Sequence, residues 1–75
     1  MGTVGNAEAI GGRVKALRDE HGWSQERLAR ETGGAITTST VGRIERGLHK
    51  PHLDTLDALA EALGTTASSL LGGAA

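Results

Sequence analysis

The sequence predicts an all-α protein, a compact bundle of five short helices. Leu, Ile, Val and Ala recur at intervals of three and four residues along most of the chain, and no stretch alternates as a β-strand would. Glycines and capping hydroxyl residues separate these periodic stretches from one another. Phe and Tyr are absent and there is one Trp, so the core of the bundle must be aliphatic.

Length and composition narrow the class of protein. A chain of 75 residues makes one small domain, which buries only about 60–65% of its unfolded surface. Without Cys, the chain can form neither a disulfide nor a thiolate metal site. No apolar run approaches the roughly 20 residues of a membrane span, and no basic segment precedes an apolar one as in a signal peptide. We therefore expect a cytoplasmic protein that makes no contact with membranes.

Helix 1 is predicted over residues 9–20, after a disordered tail of residues 1–8. Its apolar side chains fall at i, i+4 and i+7 and form one stripe, made of Ile10, Val14 and Leu17. Gly11 and Gly12 are expected to weaken the first turn, by up to ~1 kcal/mol each relative to Ala. Gly22 ends the helix, because glycine readily takes the left-handed conformation found just past a helix end.

Helix 2 is predicted to follow Ser24, an N-cap whose hydroxyl can accept a hydrogen bond from the free backbone N–H groups of the first turn. Trp23, before the cap, and Leu28, one turn into the helix, form a hydrophobic staple. We expect Trp23 to be largely buried against helices 1 and 2. Gly33-Gly34 ends the helix.

Helix 3 is predicted to follow a Thr37 cap and to bury Val41 and Ile44. Its first turn, residues 37–40, is rich in β-branched and hydroxyl side chains, which helix stability does not require. Hydroxyls and free N–H groups at a helix N-terminus suit phosphate oxygens and base edges, so the outward face of this helix is a candidate reader of DNA. Gly42 lowers helix stability but leaves room for close approach to another surface.

The rest of the chain contains a short basic loop and two further helices. Helix 4 is predicted over residues 53–63 and helix 5 over residues 67–71, the latter capped by Thr65 or Thr66. Residues 72–75 are expected to form a disordered C-terminal tail. The predicted buried stripe of helix 4 consists of Leu53, Leu56, Leu59, Ala60 and Leu63, and helix 5 presents Leu70 and Leu71.

Charge is distributed unevenly along the chain. The net charge of −1 argues against a nucleic-acid partner, since domains that bind nucleic acid tend to be basic. Residues 53–75, however, contribute only acidic groups, whereas residues 37–52 carry one acid, Glu45, against three cations. These cations are Arg43, Arg46 and Lys50, with His49 and His52 beside them. The positive excess therefore lies on helix 3 and on the loop that follows it.

Signals for catalysis or metal binding are weak. His21, His49 and His52 have no Cys partners, and solvated surface histidines explain them better than a metal site does. Neither the nucleophile elbow GxSxG nor the phosphate loop GxxxxGK[ST] is present. We expect no enzymatic activity, no metal and no cofactor.

A long series of capping, apolar and glycine positions falls in one register: Ser24, Gln25, Glu26, Leu28, Ala29, Gly33, Ile36, Thr37, Thr40, Val41, Ile44, Glu45, Gly47, Pro51, Thr55, Leu56, Leu59, Ala60, Ala62, Leu63 and Gly64. This series resembles the helix-turn-helix family of Cro and the phage repressors, the XRE-like regulators, over roughly residues 10–71. The resemblance implies a lambda-repressor-like DNA-binding domain over residues 9–71, in which helices 2 and 3 form the helix-turn-helix and helix 3 lies in the major groove.

The resemblance also implies roles for individual residues. The implied base contacts are Thr38, Ser39 and Arg43, and the implied contacts with the DNA backbone are Ser24, Gln25, Thr40, Arg46, His49 and Lys50. Gln25 would also brace the third helix. Arg18 and Glu45 would form a structural ion pair that joins helix 1 to helix 3.

One departure from the family lies in the turn between helices 2 and 3, which is two residues longer and contains Gly34-Ala35. Because both residues are small and flexible, we expect the turn to bulge outward while the helices keep their packing. The longer turn bears on the register of helix 3 in the DNA groove.

The leading hypothesis is a sequence-specific transcriptional regulator, expected to be a repressor, that binds double-stranded DNA and forms a weak homodimer on it through the last helix. A second hypothesis is an antitoxin that binds a partner toxin and its own operator. A third is a protein-interaction module that has lost DNA binding, and the near-neutral net charge is its best support.

Overall fold

A computed structural model describes residues 6–73 of the chain. Within that range the fold consists of five helices and no strand, which confirms the predicted all-α class. No helix of this part of the chain is long and apolar enough to cross a membrane. The helices are α1 (Ala7–His21), α2 (Gln25–Glu31), α3 (Thr38–Glu45), α4 (Leu53–Leu63) and α5 (Ala67–Leu70).

The helices enclose one aliphatic core, to which each of them contributes. Helix α1 packs against α3, α4 and α5, while α2 packs against α3 and α4. Burial of apolar side chains is the main force that holds so small a domain together. The buried apolar residues are Ile10, Val14, Leu28, Ala29, Ile36, Val41, Ile44, Leu56, Leu59, Ala60, Leu63 and Leu70.

Side-chain hydroxyl caps fix the N-termini of three helices. Ser24, Thr37 and Thr66 cap α2, α3 and α5, which confirms the predicted caps. Each hydroxyl oxygen accepts a hydrogen bond from the backbone N–H three residues later, at 3.0, 3.2 and 3.0 Å respectively. Such a bond satisfies one of the free donors of the first turn and contributes about 1 kcal/mol.

Both ends of the folded domain extend beyond the predicted bounds. Helix α1 begins at Ala7 rather than at residue 9, because the Asn6 side-chain oxygen accepts a 2.7 Å hydrogen bond from the backbone N–H of Ala9. At the other end, the backbone N–H groups of Gly72 and Gly73 donate to carbonyl oxygens of α5. Residues 6–8 and 72–73 therefore belong to the fold rather than to tails, and the remaining tail residues, 1–5 and 74–75, lie outside the described residues.

Two of the predicted apolar stripes differ from the buried faces. Leu53 was expected in the buried stripe of helix 4, but it is 61% exposed because it begins the helix one turn before the core contacts start at Leu56. Leu17 of α1 is only partly buried, and the side chain of Arg18 takes the next inward position. The inward face of α1 thus ends in a charged residue rather than a leucine.

Trp23 lies between α1 and α2 and packs against the core with a smaller part of its surface still in water, which agrees with the prediction that it is largely buried. One ring contact is a stack with His21, with ring centroids 4.2 Å apart and an interplanar angle of 24°. The guanidinium carbon of Arg27 lies 5.1 Å from the ring centroid, within the range of a cation–π contact. Polar neighbours on the surface, rather than core side chains alone, hold this ring in place.

Because Trp23 keeps part of its surface in water, Trp23→Ala should cost about 2 kcal/mol, less than the roughly 3–5 kcal/mol of a core aromatic. Urea unfolding followed by circular dichroism measures this difference in the free energy of unfolding. Leu28→Ala, which truncates a fully buried side chain of α2, is the matched core variant and should cost more. A loss of less than about 0.5 kcal/mol, the range of a fully exposed surface position, would contradict the packing of the ring against the core.

Candidate nucleic-acid interface

The turn between α2 and α3 holds the two helices together despite its additional residues. Gly33 and Gly34 adopt φ values of 72° and 88°, which only glycine takes without strain. Gly33, Gly34 and Ala35 are exposed, whereas Ile36 returns to the core. The additional residues therefore bulge outward, as expected, and α2 and α3 remain packed against each other.

Thr32 closes this turn, a role that the apolar pattern of the sequence did not predict. Its hydroxyl donates a 2.6 Å hydrogen bond to the carbonyl oxygen of Ala29 and accepts a 3.2 Å bond from the backbone N–H of Ile36. These two bonds join the end of α2 to the segment that enters α3. The signal available in the sequence was a hydroxyl residue placed directly before a glycine pair at a helix end.

The outward face of α3 gathers most of the residues expected to contact DNA. Thr38, Ser39 and Arg43 are exposed, while Val41 and Ile44 on the opposite face are fully buried. An open depression of about 360 Å³ lies over this face. Its lining consists of Gln25, Thr38, Ser39, Gly42, Arg43 and Arg46, so it unites the three expected base contacts with two of the expected backbone contacts.

The other expected backbone contacts lie outside the depression. The hydroxyls of Ser24 and Thr40 already take part in caps: Ser24 accepts from the N–H of Arg27, and Thr40 forms a 3.0 Å hydrogen bond with the Thr37 hydroxyl. His49 is partly buried and Lys50 is exposed, both in the loop after α3. The structure thus separates the residues that line the depression, on α3 and at the start of α2, from others whose polar groups lie at a cap or in the loop after α3.

Arg18 of α1 and Glu45 at the end of α3 form a two-point ion pair. Arg18 Nε donates to Glu45 Oε2 at 2.6 Å, and Nη2 donates to Oε1 at 2.9 Å. Arg18 Nη1 donates in addition to the carbonyl oxygen of Trp23 at 2.7 Å. The side-chain hydrogen bond to Glu45 raises the pKa of Arg18 above its ordinary value, although burial acts in the opposite direction.

The same carboxylate also binds the first residue of α2. Gln25 Nε2 donates to Glu45 Oε1 at 3.0 Å, so one acceptor group joins α1, α2 and α3. The Glu45 side chain is 3% exposed and that of Arg18 is 11% exposed, which places the pair largely out of water. Breaking such a pair is costly because the remaining charge stays buried without its partner.

Burial of Glu45 changes the charge of the surface around α3. In the sequence this acid partly offset the three cations of residues 37–52, but in the fold it points inward and is neutralised by Arg18. Arg43, Arg46 and Lys50 form no ion pair among residues 6–73, whose ion pairs all involve other cations. The exposed face of α3 and its following loop is therefore positive, although the whole chain has a net charge of −1.

Two glycines permit close packing around α3. A Cβ atom at Gly11 of α1 would overlap the carbonyl oxygen of Ile44 and lie 3.0 Å from that of Glu45. Gly42 of α3 faces the Gln25 side chain, whose Oε1 would lie 3.4 Å from a Cβ at that position. Gly11 was expected only to weaken a helix turn, and its packing role depends on a neighbour that the sequence does not reveal.

His21 and His52 are exposed, and His49 is partly buried. His21 Nε2 lies 3.0 Å from the carbonyl oxygen of Leu63, and its ring stacks on Trp23. Across residues 6–73, no three His, Cys, Asp or Glu side chains are grouped in a way that could hold a metal ion.

Comparison with known proteins gives the class to which this fold and surface correspond. A family model described as helix-turn-helix matches residues 14–70, and the chain belongs to this family. The match confirms the resemblance to Cro and the phage repressors. In the structure, the two helices of this motif are α2 and α3, and the turn between them spans residues 32–37.

Individual relatives carry names of the same class. The chain is 38% identical over 63 residues to the immunity repressor protein of Bacillus phage phi105, covering 84% of this chain and 42% of that protein. It is 40% identical over 64 residues to YonR, an SPbeta prophage-derived uncharacterized HTH-type transcriptional regulator of Bacillus subtilis, covering 85% of this chain and 57% of YonR. The chain thus spans about half the length of these two relatives or less.

A solved structure has a similar fold. The hypothetical transcription factor NHTF from Neisseria superposes with a TM-score of 0.79 at 32% sequence identity, over 87% of this chain and 72% of that one. The arrangement of the helices in this chain is therefore close to that of a solved relative.

Proposed function

We propose that this chain is a sequence-specific, double-stranded-DNA-binding domain of a transcriptional regulator, a repressor that acts in the cytoplasm by placing α3 in the major groove. The observation that carries the proposal is the exposed cluster of Thr38, Ser39 and Arg43 on a surface whose nearby acid, Glu45, is buried. A positive helix face of this kind meets the two needs of DNA recognition, attraction to phosphates and polar groups for base edges.

The side chains on this face have distinct chemistry. The planar guanidinium of Arg43 can donate two hydrogen bonds to O6 and N7 of guanine, and the Thr38 and Ser39 hydroxyls suit base edges or a thymine methyl group. Arg46 and Lys50 supply positive charge for backbone phosphates. Ser24, Thr40 and His49 remain proposed as peripheral backbone contacts, since their polar groups lie at a cap or in the loop beside this face.

The relatives support a regulator over the alternatives. The proteins in the comparison are named as a repressor, as transcriptional regulators and as a transcription factor, which does not favour the toxin-binding antitoxin. The positive face of α3 removes the main support for an interaction module without DNA binding, which was the near-neutral net charge. Because one small module covers a short DNA segment, we further propose that two copies bind a two-fold-related site.

Substituting a base-reading residue and substituting a phosphate-binding residue should change DNA affinity in different ways. Arg43→Ala should weaken binding to the preferred site by about 1–3 kcal/mol and relax the preference at one base pair, with a smaller effect on random duplex. Lys50→Ala should weaken binding to all duplexes about equally and reduce the salt slope by roughly one, because it removes one released counterion. Fluorescence anisotropy at several salt concentrations, on a duplex selected from a random pool and on a scrambled one, measures both effects.

One further variant tests an uncharged contact, and another serves as a control for these titrations. Gln25→Ala should weaken every duplex with little change in the salt slope, since a neutral amide releases no counterion. Lys15→Ala removes an exposed lysine of α1 that pairs with Asp19 and lies outside the depression, so its binding should match the wild type. Equal behaviour of Arg43→Ala and Lys50→Ala on both duplexes would show that α3 does not read bases in this register.

A further inference from the structure

Gly42 occupies an unusual position in the middle of α3. Glycine is among the least favourable residues in a helix interior, and this one lies on the side that borders the depression. It is nevertheless buried, because the Gln25 side chain of α2 covers it. The Oε1, Nε2 and Cδ atoms of Gln25 would lie 3.4, 3.8 and 3.9 Å from a Cβ at position 42, so the whole amide group rests on the bare helix backbone.

The orientation of the Gln25 amide is set by its partner. Nε2 donates to Oε1 of Glu45 at 3.0 Å, and an ionised carboxylate can only accept, so the nitrogen end of the amide must face Glu45. Glu45 is itself held by Arg18 through two hydrogen bonds. Among residues 6–73, Glu45 is the one hydrogen-bond acceptor for Nε2, which leaves its second N–H able to donate outside the chain.

We propose that Gly42 is a positioning residue for DNA binding. The missing side chain at position 42 lets Gln25 lie across α3, bound to Glu45, with its remaining N–H offered to an oxygen of the DNA backbone. A residue larger than alanine would displace the amide from Glu45 and remove that donor. This inference rests on the proposed function and adds to it a residue that acts through Gln25 without itself touching the DNA.

Two substitutions at position 42 separate positioning from helix stability. The Cβ of Gly42→Ala would meet Gln25 at an ordinary contact distance, so binding should stay within about twofold of the wild type while the melting temperature rises by roughly 4 °C. Gly42→Val adds two methyl groups beyond the same Cβ and should displace the amide. Its affinity for the selected duplex should fall about tenfold, the effect of losing one hydrogen bond to a charged group, with an unchanged salt slope.

A double-mutant cycle shows whether Gly42 acts through Gln25. Gln25→Ala alone should also weaken binding about tenfold, and adding Gly42→Val to it should cause no further loss. Additive losses would overturn the proposal, since they would mean that the valine clashes with DNA directly. Wild-type affinity for Gly42→Val would overturn it as well.

Side-chain amide signals test the geometry without DNA. Gln25 is the only Gln and Asn6 the only Asn of the chain, so the NMR spectrum contains two side-chain NH₂ groups to distinguish. In the wild type and in Gly42→Ala, the chemical shifts of the two Gln25 side-chain N–H protons should differ from those of a solvent-exposed amide. In Gly42→Val they should return to solvent-exposed values. Unchanged signals in Gly42→Val would overturn the positioning. If the signals respond as stated but the wild type binds no duplex, the proposed function fails and the binding role of Gly42 fails with it.

Discussion

Gly11→Ala should destabilise the domain by about 3 kcal/mol, near the upper end of the usual cost of overpacking. The added Cβ would overlap the carbonyl oxygen of Ile44, a backbone atom that cannot rotate away as a side chain can. Helix α1 would have to move away from α3. This movement would disturb the core contacts between the two helices and the Arg18–Glu45 ion pair that joins them. Chemical denaturation followed by circular dichroism gives the change in the free energy of unfolding.

Gly12→Ala provides a matched control one residue away. A Cβ at Gly12 would meet nothing within 4 Å, so this substitution should stabilise the domain by up to about 1 kcal/mol through helix propensity alone. The two neighbouring variants should therefore shift the unfolding midpoint in opposite directions. A stabilising effect of both would show that α1 and α3 are not in close backbone contact at Gly11.

Glu45→Ala should cost about 3–5 kcal/mol, enough to unfold much of so small a domain. The loss arises because Arg18, with its side chain 11% exposed, would remain charged while two of its donors lose their acceptor. Gln25 would lose its partner as well. Urea denaturation of Glu45→Ala measures the loss, and the same measurement on Arg18→Met, Glu45→Met and the double variant gives the coupling energy of the pair.

The pair between Arg27 and Glu31 is the appropriate control, since it also joins an arginine to a glutamate at 2.7 Å. Its side chains are 46% and 38% exposed, so solvent screens the interaction. Glu31→Ala should therefore cost less than about 1 kcal/mol. If Glu45→Ala is as mild as Glu31→Ala, the structural role of the buried pair is refuted.

Features that depend on short stretches of chain were predicted well from the sequence. Helix α4 spans residues 53–63 as predicted, because a 3.6-residue apolar period and a following glycine define it locally. The caps at Ser24 and Thr37 could be predicted because each hydroxyl accepts a hydrogen bond from a backbone N–H in the first turn of its own helix. Burial was predicted less well, since the exposure of Leu53 and the partial exposure of Leu17 depend on which helices pass beside them.

In the candidate site, too, features that depend on one helix were predicted better than contacts between helices. The gathering of Thr38, Ser39 and Arg43 on one face follows from helical spacing together with the family resemblance. Glu45 points inward because it contacts Arg18 and Gln25, which lie 27 and 20 positions away in the sequence. The covering of Gly42 by Gln25 likewise depends on how α2 packs against α3. Periodicity within one helix carries no information on such contacts. The sequence placed a positive excess on helix 3 and the following loop, but only the family resemblance implied that Glu45 pairs with Arg18.

The outward bulge of the turn between α2 and α3 has a consequence for chain entropy. Closing a flexible loop becomes harder only with the logarithm of its length, about 0.6 kcal/mol for each doubling, so two additional residues cost little. A side chain at Gly33 or Gly34 would find no packing partner within 4 Å, and the cost of these glycines lies in the many conformations that the unfolded chain gives up there. The length of this connection can therefore vary at a small cost in free energy. The condition is that the hydrogen bonds of Thr32 and the burial of Ile36 still hold the two ends of the turn in place.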